Sequence, residues 1–283
     1  MKTYKEFTIT TKPFLPEIIS GLLWQFNISG IVEEDDSFRV FADESSGIDA
    51  DTISGKLKVL VDQKIISDFC LEENIIEDKN WNEEWEKNVS VTEVSDKIVI
   101  KPSFREYKKK PGQIVITIDP KMSFGTGSHQ STKLVLQLLE KYVRQGIKVL
   151  DIGSGTGILS IAAVKLGATH AVAIDNDEWC YKNGIENCLL NDVNTNVEVL
   201  QGEIKSITEN DFDLILANIQ KNVLIDIAEE IRNRIKKGGL IILSGLLFTD
   251  EDILSKYLSL KFKMVEKKQM DEWIALVLRN CNR

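Results

Sequence analysis

From about residue 128 onward, short apolar runs alternate with segments whose apolar residues have helical spacing. The runs predict strands and the spaced segments predict helices, which together give a mostly parallel sheet with helices on both faces, a doubly wound α/β fold. Only a turn near Gln269 joins the last two strands, so we expect one strand to run antiparallel. The strands are predicted at 148–152, Ala171–Asp175, Val197–Leu200, Phe212–Ala217, Gly239–Ser244, Phe262–Glu266 and Trp273–Leu278, and the helices at Gln130–Tyr142, 158–166, Glu178–Asn191, Leu224–Ile235 and Asp250–Leu258.

Residues 1–70 have a different pattern, with the order strand, helix, strand, strand, helix, strand. This is the ferredoxin-like order of elements. The segment contains no cluster of catalytic residue types, so we interpret it as a substrate-recognition domain. The strands are predicted at Tyr4–Thr10, Gly30–Glu34, Phe38–Ala42 and Phe69–Glu72, and the helices at Pro16–Phe26 and Asp51–Ile65.

Residues 71–90 connect this segment to the rest of the chain. They are mostly polar, and Trp81 and Trp85 lie four residues apart, which places both indoles on one helical face. We therefore predict a linker helix that packs its two indoles on a domain. The second domain then comprises residues 91–283. It starts, within 91–127, with three short strands at Val91–Glu93, Ile98–Lys101 and Ile114–Ile118.

The most informative motif is KVLDIGSGTG at Lys148–Gly157. It predicts a buried strand, a turn with glycines at alternate positions (Gly153, Gly155 and Gly157, called the glycine turn below), and a helix. In doubly wound sheets this corner binds nucleotides, because glycine lets the backbone turn sharply and approach a ligand closely. The alternative is an ordinary glycine-rich connection.

The glycine spacing distinguishes two classes of cofactor. A dinucleotide fingerprint has glycines at relative positions one, three and six, whereas the sixth position here is Ile158. Asp151, two residues before the first glycine, would repel a pyrophosphate and suit a cationic ligand. S-adenosylmethionine carries an ammonium and a sulfonium and no phosphate. The motif therefore favours a methyltransferase over a nicotinamide oxidoreductase.

The next predicted strand ends in Asp175, eighteen residues after Gly157. An acidic residue at this place can accept hydrogen bonds from both ribose hydroxyls. Asp175 could instead cap the following helix. Because Asn176 and Asp177 are also able to cap it, we favour the ribose role.

The segment DPKMSFGTGSHQST at Asp119–Thr132, called the upstream loop below, precedes the first helix of the α/β pattern. Its glycines and its many hydroxyl groups favour a loop that contacts a ligand held at the strand ends. A helix start capped by Ser128 or Ser131 is the simpler alternative, and the two interpretations are compatible.

The strand Phe212–Ala217 ends at Asn218. Parallel α/β sheets bind ligands at the carboxyl ends of their strands, so the Asn218 amide is placed to bind an amine or the amino-acid end of the cofactor. A helix cap is the alternative, but Asn218 lies several residues before the helix predicted from Leu224.

Composition narrows the classes of function. The chain has 283 residues, a net charge of −9 and four cysteines without C-x-x-C spacing, and we see no signal segment or membrane-spanning stretch. We therefore expect reduced thiols and a cytoplasmic enzyme that does not bind membranes. The acidic charge disfavours nucleic acid as a partner and favours a basic one.

Together the motifs resemble those of the bacterial ribosomal protein L-eleven (L11) methyltransferases, whose fold is the Rossmann-like fold of class I methyltransferases. The small N-terminal domain and the W-x-x-x-W linker agree in order and size. One departure is Gln130-Ser131, where the family commonly has Pro-Thr. The matching motifs are D-P-x-x-x-F-G-T-G-x-H-x-x-T at Asp119–Thr132, D-I-G-S-G-T-G at Asp151–Gly157, A-I-D at Ala173–Asp175 and A-N-I at Ala217–Ile219.

The resemblance implies a monomeric enzyme that methylates lysine side-chain or N-terminal amines of free ribosomal protein L-eleven, bound by the N-terminal domain. We find no dedicated general base and predict Asn218 and His129 as catalytic residues. Alternatives are an N-methyltransferase for another protein, a nucleic acid or a small-molecule amine, and a non-catalytic scaffold. The predicted binding residues for S-adenosylmethionine are Phe124, Gly125, Thr126, Thr132, Asp151, Gly153, Gly155, Asp175 and Asn218.

Overall fold

The computed structural model describes residues 3–23, 26–34, 36–43, 46–77, 90–119, 123, 125–250 and 252–282. The chain forms two compact units, Met1–Asn88 and Val89–Arg283. Within the described residues, no helix combines the length and the apolar character needed to traverse a lipid bilayer.

The first unit is an antiparallel sheet of strand order β2-β3-β1-β4 with two helices. Helix α2 begins where the side chain of Asp49 accepts the backbone N–H of Thr52 at 2.8 Å. Its buried residues pack with apolar residues of the strands to form the core. The elements are β1 (Thr3–Lys12), α1 (Pro16–Leu23), β2 (Gly30–Glu33), β3 (Ser37–Asp43), α2 (Ala50–Asp62) and β4 (Asp68–Glu77).

The elements of this unit follow the order predicted from the sequence, but the predicted boundary at residue 70 falls inside β4. Strand β4 continues to Glu77 because it pairs with β1 along its whole length, from Lys12 opposite Asp68 to Thr3 opposite Glu77. Residues 71–77 are therefore strand and not linker helix. The rest of the predicted linker, with Trp81 and Trp85, lies outside the described residues.

The second unit contains a seven-stranded sheet of order β10-β9-β8-β11-β12-β14-β13 and a separate three-stranded sheet, β5-β6-β7. The strands are β5 (Thr92–Glu93), β6 (Ile98–Lys101), β7 (Ile114–Thr117), β8 (Lys148–Ile152), β9 (His170–Asp175), β10 (Val197–Gln201), β11 (Phe212–Asn218), β12 (Ile235–Leu247), β13 (Phe262–Met270) and β14 (Trp273–Asn280). The helices are α3 (Gln130–Tyr142), α4 (Ile158–Leu166), α5 (Glu178–Leu190), α6 (Lys221–Asp226), α7 (Ala228–Arg234) and α8 (Ile253–Ser259).

The large sheet confirms the predicted doubly wound pattern. Strands β8 to β12 are parallel, and β14 runs antiparallel to both β12 and β13. Both faces are buried: Val149 and Leu216 belong to the core on one face, and Leu150 and Ile215 to the core on the other. Burial on both faces explains why these strands read as continuous apolar runs.

Several predicted elements begin or end at other residues than in the structure, and the helix predicted at Leu224–Ile235 and the strand predicted at Gly239–Ser244 differ in an informative way. The helix predicted at Leu224–Ile235 is two short helices, α6 and α7, which meet at Ile227. Ile235 itself begins β12, where it lies opposite Phe212 of β11. The helix therefore ends before the last apolar residue of its helical spacing, because that residue pairs with β11 instead.

Candidate active site

The glycine turn connects β8 to α4 at the carboxyl edge of the large sheet. Gly153, Gly155 and Gly157 have φ values of 68°, 54° and 78°, a left-handed region in which other residues are strained. The backbone N–H of Gly153 donates to the carbonyl of Ile174 at 2.9 Å. The turn is therefore fixed against β9, the strand that leads to Asp175.

Asp175 lies at the end of β9 and holds two backbone groups. Its Oδ2 accepts the N–H of Gly155 at 2.8 Å, and its Oδ1 accepts the N–H of Asp177 at 3.1 Å. A carboxylate offers about four acceptor positions, so about two remain for a ligand. Asp177 caps α5 through bonds from Trp179 and Cys180, which excludes the alternative that Asp175 is the cap.

Asp151 lies beneath the glycine turn and is fully buried. Burial raises the pKa of Asp151 to about 7; hydrogen bonds from Ser160 oppose this shift, and the nearby Asp175 adds to it. Oδ2 accepts the hydroxyl of Ser160 at 2.8 Å and its N–H at 3.1 Å. Oδ1 is buried without a hydrogen-bond partner among the described residues.

The upstream loop contacts the glycine turn through Gly125. The buried hydroxyl of Thr156 donates to the carbonyl of Gly125 at 2.8 Å. Gly125 has φ +106, and a Cβ at this position would lie 2.8 Å from Oγ1 of Thr156. The approach therefore requires glycine, as the sequence predicted for a loop close to the strand ends.

Asn218, at the end of β11, lies beside Thr132 in the first turn of α3. Nδ2 of Asn218 donates to Oγ1 of Thr132 at 3.4 Å. Ile219, the next residue, fills the space that a Cβ on Gly153 would occupy, and its backbone lies against Gly245. The structure thus brings the ends of β8, β11 and β12 into contact.

The polar groups at this edge fit S-adenosylmethionine. Asp151 Oδ1, Ser154 Oγ and Asn218 Oδ1 are buried and have no hydrogen-bond partner within the described part of the chain. The Asn218 oxygen is an acceptor only, the Asp151 oxygen is an acceptor when its carboxyl is ionised, and buried acceptors are normally paired. A ligand with an ammonium and hydroxyl groups supplies the donors that they lack.

Two further predicted site residues, His129 and Thr126, make local contacts at the start of α3 and in the upstream loop. His129 caps α3, because its Nδ1 accepts the N–H of Ser131 at 3.3 Å and also lies 2.8 Å from that residue's hydroxyl. The cap is therefore His129 and not Ser128 or Ser131. The hydroxyl of Thr126 lies 2.7 Å from that of Ser128 in an exposed turn, and Phe124 lies outside the described residues.

Sequence reasoning missed three residues of this site. Thr156 and Ser160 are fully buried and hold Gly125 and Asp151 respectively, and Ile219 packs against two glycines. Ser160 has a signal in the sequence, because it is a hydroxyl residue in the otherwise apolar first turns of α4. Ile219 belongs to the A-N-I motif, but the motif does not reveal its two glycine partners, which only the fold brings together.

The sequence matches the profile of the family described as ribosomal protein L11 methyltransferase (PrmA) over residues 3–281. The ribosomal protein L11 methyltransferase of Chlorobaculum tepidum is 38% identical over 273 residues, which are 95% of this chain and 93% of that protein. The protein of the same name from Acetivibrio thermocellus is 41% identical over 205 residues, 72% of this chain and 65% of that protein. The latter alignment spans just under two thirds of its relative's length.

A crystal structure also resembles this chain. The ribosomal protein L11 methylase from Lactobacillus delbrueckii subsp. bulgaricus superposes with a TM-score of 0.64 and 28% identity. The match covers 68% of this chain and 99% of that one. It agrees with the Rossmann-like fold predicted from the sequence.

Proposed function

The chain belongs to the ribosomal protein L11 methyltransferase family, and on that premise we propose that it transfers methyl groups from S-adenosylmethionine to lysine side-chain or N-terminal amines of ribosomal protein L11. The observation that carries the proposal is the group of polar residues at the carboxyl edge of the large sheet, called the carboxyl-edge cluster. Within it, Oδ1 of Asp151 and Oδ1 of Asn218 are buried and have no hydrogen-bond partner among the described residues. Asp151 belongs to β8 and Asn218 ends β11, and these two strands are neighbours in the large sheet.

The binding roles follow from the chemistry of each group. Asp175 retains acceptor positions for the two ribose hydroxyls. The unpartnered oxygen of Asp151, when the carboxyl is ionised, is matched to the ammonium of the cofactor. Thr132 orients Asn218, and Gly125 brings the upstream loop against the turn.

When bound, S-adenosylmethionine supplies an activated methyl group on a sulfonium, which is itself a strong leaving group. The protein's part is then to position and desolvate the amine. A lysine amine must be neutral to attack, and its ordinary pKa is about 10.4, so burial at the site has to favour the neutral form. Asn218 Oδ1 can accept an N–H of this amine and direct its lone pair.

His129 is the second proposed catalytic residue. Its Nδ1 is engaged at the start of α3, and its ring lies edge-on to Trp273 with centroids 4.6 Å apart. These two contacts favour a role in ordering the upstream loop. Direct proton transfer from the amine would need a contact with the substrate nitrogen.

The first unit, Met1–Asn88, is proposed to bind free ribosomal protein L11. The net charge of −9 suits a basic partner and disfavours nucleic acid. We propose that the enzyme acts as a monomer in the cytoplasm.

The test is mass spectrometry of purified ribosomal protein L11 after incubation with this protein and S-adenosylmethionine. We expect increments of one or more methyl groups on amines, and loss of these increments in Asp175→Ala. Asp177→Ser is the matched control, because serine retains a capping oxygen for α5. No increments with the wild-type protein, despite calorimetric binding of the cofactor, would redirect the search to another protein, a nucleic acid or a small-molecule amine.

A further inference from the structure

Three asparagines follow one face of α5 at intervals of four residues. Asn183, Asn187 and the C-cap residue Asn191 are 3%, 0% and 4% exposed. Residues four apart lie above one another on a helix, so the three amides form a row, called the asparagine ladder below. Buried amides are normally paired, and each of the three donates through its Nδ2, whereas Oδ1 of Asn183 has no partner among the described residues.

The partners are backbone groups of the segment that leads into the upstream loop. Asn191 accepts the N–H of Thr117 at 2.9 Å and donates to its carbonyl at 2.6 Å. Asn187 accepts the N–H of Asp119 at 3.0 Å, and Asn183 donates to the carbonyl of Asp119 at 2.8 Å. The ladder therefore pairs alternate backbone groups of an extended chain, as a neighbouring β-strand would.

Asn187 also contacts the glycine turn, which distinguishes it from an ordinary buried amide. Its Nδ2 donates to the carbonyl of Thr156 at 3.0 Å, and the hydroxyl of Thr156 holds Gly125. Asn187 thus joins the first residue of the upstream loop to the turn against which the middle of that loop packs. An amide suits this place because it offers one acceptor and one donor side, whereas a carboxylate would face the carbonyl of Thr156.

We infer that the asparagine ladder is a positioning device for the cofactor site, and that Asn187 sets the spacing between the glycine turn and the upstream loop. The inference rests on the proposed function and assigns positioning residues to it. Without the Asn187 amide, the N–H of Asp119 and the carbonyl of Thr156 lose buried partners. The contact of Gly125 with Thr156 is then no longer fixed.

The test compares Asn187→Ala with Asn280→Ala in the full-length protein. Asn280 is a buried asparagine, 5% exposed, whose Nδ2 donates to the carbonyls of Ile235 and Lys236 at the amino edge of the large sheet. Both variants should lower the melting temperature. Only Asn187→Ala should weaken binding of S-adenosylmethionine, by about tenfold in Kd. Asn191→Ala, whose bonds do not reach the turn, should weaken it less.

Methylation assays provide a second readout. Loss of positioning should raise KM for S-adenosylmethionine more than it lowers kcat. If Asn187→Ala fails to fold, Asn187→Asp takes its place, because a carboxylate keeps the acceptor for the N–H of Asp119 and loses the donor to the carbonyl of Thr156. If Asn187→Ala leaves the Kd of S-adenosylmethionine unchanged, or if Asn280→Ala weakens cofactor binding equally, the inference is overturned while the proposed function stands. Absence of cofactor binding by the wild-type protein would overturn the proposed function as well.

Discussion

The amide of Asn218 donates to the hydroxyl of Thr132 at 3.4 Å, across 86 positions of sequence. This bond occupies Nδ2 and so fixes which side of the amide is the acceptor. Oδ1 is left buried, without a partner among the described residues, at the edge where β11 ends. Thr132 therefore determines the orientation of the group proposed to hold the substrate amine.

Asn218→Ala should lower kcat by about tenfold or more, equivalent to ~1.4 kcal/mol of lost transition-state stabilisation, because the amine loses its acceptor. Thr132→Ser is the matched control, since it retains the hydroxyl that orients Asn218. Steady-state methylation of ribosomal protein L11 measures both. Unchanged kinetics in Asn218→Ala would remove Asn218 from the reaction.

Asp151 predicts a specific dependence of stability on pH. Its pKa is raised by burial from 3.8 to about 7, so the folded protein retains a proton that the unfolded chain loses. The contribution to stability is complete at acidic pH and declines as pH rises towards the folded pKa, by roughly 4 kcal/mol in total. Above pH 7 the loss is complete.

Asp151→Asn has no proton to lose at this position. The difference in free energy of unfolding between this variant and the wild-type protein should therefore favour the variant more at about pH 8 than at about pH 5. Denaturant unfolding at both pH values measures the difference. Asp226→Asn, which removes an exposed carboxylate, is the control for the loss of one negative charge. An advantage of Asp151→Asn that is equal at both pH values would contradict the assignment of the buried proton.

Gly125→Ala should destabilise the contact between the upstream loop and the glycine turn. The added Cβ would lie 2.8 Å from Oγ1 of Thr156, and the alanine would also have to adopt a positive φ. Gly146→Ala is the matched control, because Gly146 has φ +87 but nothing within 4 Å of a Cβ. We expect both to lower the melting temperature and only Gly125→Ala to raise the Kd of S-adenosylmethionine, by about tenfold. Equal Kd values for the two variants would show that Gly125 does not contribute to the cofactor site.

Removal of Met1–Asn88 should abolish methylation of ribosomal protein L11 and retain binding of S-adenosylmethionine. The second unit, Val89–Arg283, contains the whole carboxyl-edge cluster and two apolar cores of its own. Mass spectrometry and calorimetry on the truncated protein measure the two activities. Methylation at the wild-type rate would show that substrate recognition lies elsewhere.

The α/β unit could be predicted closely because its strands are buried on both faces. Val149 and Leu150 point to opposite cores, so the strand forms a continuous apolar run that glycines terminate. The site residues that are attached to strand ends, such as Asp175 and Asn218, follow from the same pattern. Their places depend only on where each strand stops.

Contacts between distant segments were not predictable in this way. The sequence predicted β4 only as far as Glu72, and its continuation through Glu73 and Asn74 depends on pairing with β1. The spacing of the asparagine ladder is visible in the sequence, but its partner Asp119 lies 68 residues from Asn187. The cap of α3 was assigned to hydroxyl residues, whereas an imidazole nitrogen of His129 performs it.

The packing of Ile219 between two glycines makes substitutions at these positions interdependent. At Gly153 a larger residue would be strained by φ +68 and would also overlap the Ile219 side chain, so only the second part of its effect depends on the size of residue 219. At Gly245 a Cβ would lie 2.6 Å from the backbone oxygen of Ile219, which no change of side chain relieves. Divergent sequences that keep this site should therefore show epistasis between positions 153 and 219, and an independent requirement for glycine at position 245.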